Sequence, residues 1–99
     1  MTDPTPFNRL LGERVRRLVE RDGRSMEAIS LAAGMGPHTV SRIVTGHAVK
    51  VETLLAIMYE VKATGEDLSA VYADFEKCRE EDAELIQISH ESKWRFLAP

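Results

Sequence analysis

His38, Thr39, Ser41 and Arg42 fall within one short stretch, and Thr45, His47 and Lys50 follow it closely. Hydroxyls, imidazoles, a guanidinium and an ammonium, with no carboxylate among them, suit a polyanion. Such groups reach the base edges and phosphates of a nucleic acid. Arg42 is the first candidate for base readout, since its fork fits guanine O6 and N7 or a phosphate; His38, Thr39 and Ser41 come next. A good bidentate base contact contributes roughly 1–3 kcal/mol of discrimination. Thr45, His47 and Lys50 are candidates for phosphate, with plain solvation as the alternative.

The remaining reactive residues assemble into no second chemistry. His38, His47 and His90 are not spaced as metal ligands, and neither a glycine-rich phosphate loop nor a Ser/His/Asp grouping occurs. Glu80, Glu81, Asp82 and Glu84 are near-consecutive, so on a helix they diverge around the axis and read as a solvated face. Cys78 stands alone, without a partner for an internal disulfide or a CxxC zinc site. The expectation is a protein that is not an enzyme, with no catalytic residue, no metal and no cofactor.

The elements that must hold the first group lie in Met26 to Gly46, MEAISLAAGMGPHTVSRIVTG, which reads as two short helices around a tight corner. Ser25 is the expected N-cap of the first, from about Met26 to Ala33, with Ile29, Ala32 and Ala33 on one face. Gly34-Met35-Gly36 lets the backbone turn sharply, and the small alanines allow close approach. The second helix is expected from about Pro37, whose fixed φ suits a first helical position, to Thr45, with Gly46 ending it. Val40, Ile43 and Val44 then point inward and leave His38, Thr39, Ser41, Arg42 and Thr45 outside. That is helix-turn-helix geometry.

With these residues the chain resembles the Cro and lambda-repressor-like (Xre) helix-turn-helix regulators over roughly residues 9–72, most specifically over Met26 to Gly46. The resemblance implies an all-α, five-helix DNA-binding domain whose second motif helix lies in the major groove of double-stranded DNA. It also implies that the start of the first motif helix, at Arg24, Ser25 and Met26, lies against a phosphate, where free N–H groups and the helix dipole favour an anion. The sequence departs from the family at three places. Pro37 stands where many relatives carry a base-reading glutamine, which shifts weight to His38 and Thr39. Ser30 replaces a common alanine near the bend, and a serine fits there if its hydroxyl bonds back to the preceding turn. The family's usual serine cap near Lys50 and the proline before it are both missing.

Ninety-nine residues, 43% of them hydrophobic, suffice for one compact domain. No apolar run approaches the ~20 residues of a membrane span, and the N-terminus lacks a signal peptide's apolar core. The expectation is a cytoplasmic protein with no membrane partner. The net charge of −3 divides unevenly: residues 1–50 carry eight Lys/Arg against five Asp/Glu, a net +3, and residues 51–99 carry five against eleven, a net −6. A basic front and an acidic back suit a DNA reader with an attached interaction segment.

Before the motif, Thr5 can cap a helix from Pro6 or Phe7 to about Arg21, ended by Asp22-Gly23, with Phe7, Leu10, Leu11, Val15, Leu18 and Val19 apolar. Its arginines read mainly as a solvated face paired with Glu13 and Glu20. After the motif, a helix from Val51 to about Ala63 presents Leu54, Leu55, Ile57, Met58 and Val61. Thr64-Gly65 breaks it, and Glu66-Asp67 open a fifth helix whose Leu68, Val71, Tyr72 and Phe75 should close the core against the first.

Residues 1–75 are expected to form the helix-turn-helix domain and residues 76–99 a C-terminal extension. That extension either prolongs the fifth helix or forms short strands at Leu85-Ile86-Gln87-Ile88 and Trp94-Arg95-Phe96-Leu97. Leu85, Ile86, Ile88, Trp94, Phe96 and Leu97 are the candidate homodimer contacts, with folding back onto the domain as the alternative. The function expected is a sequence-specific transcriptional regulator, most simply a repressor, that binds a pseudo-palindromic operator as a homodimer. A second reading is an antitoxin-like regulator that holds a basic protein partner on its acidic segment and autoregulates its operon. The last is a protein-only adaptor.

Overall fold

The computed structural model describes residues 5–97, with side chains placed through residue 81. Five helices follow one another, α1 (Pro6–Asp22), α2 (Met26–Ala32), α3 (Thr39–Val44), α4 (Val51–Glu60) and α5 (Gly65–Leu97), and no strand occurs among the described residues. The chain is all-α. The strands considered at 85–88 and 94–97 are not formed, because α5 continues through both. The side chains of Leu85, Ile86, Ile88, Trp94, Phe96 and Leu97 lie outside the described residues.

Local chemistry sets most helix ends. The Thr5 hydroxyl accepts from the Asn8 N–H at 3.1 Å to cap α1, and Pro6 occupies its first turn. Gly23 closes α1 in the left-handed region at φ 89°, a conformation that glycine adopts without a Cβ penalty. α3 begins two residues later than Pro37. The Thr39 N–H donates to the Gly36 carbonyl at 3.2 Å, so Pro37 and His38 are the central residues of a turn that delivers the chain to the helix. A proline φ serves that role as well as a helix start. α4 is also shorter than expected. Lys62 takes φ 58°, and the Ala63 N–H donates to the Met58 carbonyl at 2.9 Å, a C-terminal closure that stops the helix before Thr64-Gly65. At α5 the Thr64 hydroxyl accepts from the Asp67 N–H while the Asp67 carboxylate accepts from the Thr64 N–H, a reciprocal cap.

One core joins the first four helices. Leu11, Val15, Leu18 and Val19 of α1 meet Ile29 of α2, Val40 and Ile43 of α3, and Ile57 and Met58 of α4, all buried, together with Val61. α5 lies antiparallel along α1, fastened by Arg14 on Asp74, Arg21 on Asp67, and the Phe7 and Phe75 rings edge to face at 5.3 Å. The face of α5 turned to α1 therefore carries Asp67, Val71, Asp74 and Phe75. Leu68 and Tyr72, expected in the core, are exposed, as is Leu55 of α4. Arg14 and Arg21 likewise differ from the solvated reading, because their carboxylates come from α5 rather than from α1.

Candidate nucleic-acid interface

α3 is held in place by two contacts of different kinds. Gly12 of α1 lies so close to the C-terminal end of α3 that a Cβ there would sit 2.7 Å from the carbonyl oxygens of both Ile43 and Val44. Only a residue without a side chain lets the two backbones meet. At the other end, the N-cap position His38 makes no side-chain bond to the helix. Ser30 of α2 does that work instead. Its buried hydroxyl donates to the Met26 carbonyl at 2.7 Å and accepts from the Val40 N–H at 3.0 Å. The bond back to the preceding turn was expected; the second, which satisfies a buried first-turn donor of α3, was not.

With Val40 and Ile43 buried and Val44 packed against the core, α3 turns His38, Arg42 and Thr45 to solvent and leaves Thr39 and Ser41 half-buried. Between α3 and the start of α4 runs an open groove lined by Thr39, Arg42, Lys50 and Thr53 together with the apolar Ile43, Ala48 and Val49. The structure thus brings together Thr39, Arg42 and Lys50 and adds Thr53, which the sequence reading did not single out. Thr53 follows Lys50 by three residues at a helix start, the one local signal for it. Neither Arg42 nor Lys50 has an ion-pair partner among the described residues, and no Asp or Glu occurs between Glu27 and Glu52 in the sequence.

The hydroxyls here are partly committed. Ser41 Oγ donates to the His38 carbonyl at 2.9 Å, and Thr45 Oγ1 donates to the Ser41 and Arg42 carbonyls at 3.0 and 3.1 Å. His47 Nδ1 lies 3.2 Å from the Arg42 carbonyl and 3.1 Å from Thr45 Oγ1. A carbonyl only accepts, so Nδ1 carries the hydrogen and Nε2 is the ring nitrogen left for another partner. Thr45 therefore orients His47, and its single hydroxyl hydrogen is already in use.

The start of α2 is arranged differently. Ser25 caps the helix by accepting from the Ala28 N–H at 3.0 Å, and Met26 is half-buried. Arg24, expected to face a phosphate, is instead taken up within the chain. Its Nε and Nη2 fork Asp22 at 2.8 and 3.0 Å, Nη1 reaches Glu60 Oε1 at 2.9 Å, and Nη2 also meets the Glu60 carbonyl at 3.2 Å. The Asp22 and Glu60 hydrogen bonds hold the guanidinium well above its ordinary pKa, and the same bond to Arg24 holds the Asp22 carboxyl below the usual carboxylate range. Glu27 adds a negative charge to the first turn of α2. At the start of α2 the cation is therefore already engaged by carboxylates, which, among the described residues, Arg42 and Lys50 of the α3–α4 groove are not.

No helix among the described residues is long and apolar enough to cross a membrane. Comparison of the chain with protein-family models, curated proteins and solved structures finds no match.

Proposed function

We propose that this chain is a sequence-specific reader of double-stranded DNA, a transcriptional regulator of the lambda-repressor-like (Xre) type. α3 enters the major groove with Arg42 and Thr39 toward base edges, His38 and Ser41 beside them, while Lys50 and Thr53 take flanking phosphates and His47 stands next to them. The observation that carries this reading is the α3–α4 groove: two cations without partners and two hydroxyl residues, with no carboxylate among the residues that line it. Arg14, Arg16, Arg21 and Arg24, by contrast, are each engaged by an acid of the same chain.

A single helix this short covers only about half a turn of groove, so a two-fold dimer on a pseudo-palindrome supplies the affinity, with half-sites about 34 Å apart. Repression follows most simply, since a domain of this size blocks a promoter by occupying it. The test is to recover and sequence DNA bound by the purified full chain from a genomic fragment pool in moderate salt. A two-fold motif with half-sites about one helical turn apart is the expected result. Recovery of no motif, with all binding abolished by modest salt, would leave only nonspecific attraction and would move the function to a protein partner on the acidic residues of α5.

A further inference from the structure

We propose that the outer face of α4 carrying Val51, Leu55 and Tyr59 is the surface on which a second copy of this chain docks, helix against helix and antiparallel, about a two-fold axis at Leu55. The inference rests on the DNA-reading function for the purpose of the dimer, and on α4 alone for its place.

α4 is apolar on two sides. Leu54, Ile57 and Met58 face the core, which is the one apolar stripe a surface helix needs. Val51, Leu55 and Tyr59 recur every four residues on another side and are 70%, 45% and 86% exposed. An apolar row of this kind beside a polar rim marks an interaction site. The row is also symmetric: Val51 stands one turn before Leu55 and Tyr59 one turn after it. Antiparallel pairing sets Leu55 against its own copy and Val51 against the other copy's Tyr59, the self-complementary arrangement that a two-fold interface demands.

The charges at the ends of the row agree. Glu52 lies at the N-terminal end and Lys62 at the C-terminal end, and neither has an ion-pair partner among the described residues. Antiparallel docking brings each Glu52 toward the other copy's Lys62, whereas parallel docking would set like charges together. Lys62 is further marked by its backbone. It is the one non-glycine residue at positive φ among the described residues, at a helix end where glycine is the easier choice. Asp22, whose field it shares, is already forked by Arg24.

Sedimentation equilibrium of the full chain, without DNA, tests this. The wild type should dimerise, and Leu55→Asp or Tyr59→Asp should raise the dissociation constant by about 100-fold or more while leaving the helical circular dichroism intact, because both sites are exposed. Leu55→Arg should also be monomeric. An equimolar mixture of Leu55→Asp and Leu55→Arg should dimerise again, since the axis sets position 55 against itself. A monomeric wild type, undiminished association of Leu55→Asp, or a mixture that stays monomeric would each overturn the proposal. A wild-type dimer lost in Leu55→Asp but recovering no DNA motif would support this surface and sink the DNA reading alone.

Discussion

Ser30 serves two helices with one hydroxyl, and that makes it the most informative single residue near the interface. Its hydrogen goes to Met26 in α2 and its lone pair receives the Val40 N–H of α3. Ser30→Ala deletes little volume but strands a buried backbone donor, a loss of about 1–3 kcal/mol. Urea denaturation should show that loss, and hydrogen exchange should show the Val40 amide losing protection more than those of α1. Gly12 presents the opposite problem. Gly12→Ala forces a methyl against two carbonyl oxygens of α3, neither of them on a flexible side chain, and should cost about 1–3 kcal/mol even though alanine is the better helix former. A Gly12→Ala variant that is more stable than wild type in the same titration would show that α1 and α3 do not approach as described. The bond of Ser30 back to Met26 was legible in the sequence, but its bond to α3 and the close approach at Gly12 were not, because both depend on which residues another helix brings alongside. Arg24 shows the same limit from the other side. Its type and position suit phosphate, yet Asp22 and Glu60 engage it first, and Glu60 lies far along the chain.

At the scale of elements, periodicity located all five helices because each buries an apolar face, but it assigned the faces less well. Of the α5 stripe Leu68, Val71, Tyr72 and Phe75, Val71 packs against the core and Phe75 meets Phe7 of α1, whereas Leu68 and Tyr72 are exposed and Asp67 and Asp74 are turned to α1 instead. Arg14 and Arg21 of α1 hold that face, each paired with one of these carboxylates. Arg14 forks Asp74 through Nε and Nη2, the latter at 3.1 Å, and this bond holds the Asp74 carboxyl below its ordinary range. Asp67 is lowered chiefly by the Thr64 backbone N–H, and Asp22 by Arg24. All three folded-state pKa values lie below the unfolded ones, so between them the unfolded chain binds more protons and stability falls with falling pH. The contribution is complete above the ordinary carboxylate range and disappears as pH drops through the lowered values. Thermal melts should therefore be flat from neutrality to about pH 5 and decline below about pH 4. Asp74→Asn should lower stability at neutral pH by about 1 kcal/mol and flatten the acid limb, and an unchanged limb would show that the fork is not formed in solution.

At the scale of the whole molecule, the ion pairs decide where the positive field survives. A net charge of −3 argues against DNA until its distribution is considered. The arginine-rich α1 is partly neutralised by α5, through Asp67 and Asp74. Arg42 and Lys50, without an ion-pair partner among the described residues, stand on either side of the groove between α3 and α4, in a stretch with no carboxylate between Glu27 and Glu52. If this is the surface that meets DNA, the two residues should separate by the kind of contact each makes. Lys50→Ala removes a phosphate contact, so affinity should fall by a similar factor for every operator variant, and the slope of log K against log salt should become shallower by about 0.9 for each copy bound. Arg42→Ala removes a base fork, so discrimination at one operator position should relax by about 1–3 kcal/mol while the other positions keep theirs. Fluorescence anisotropy across a salt series, with the selected operator and single-base variants, measures both. Two substitutions that act alike, each lowering affinity without touching preference, would place Arg42 on the backbone and move base reading to His38 and Thr39.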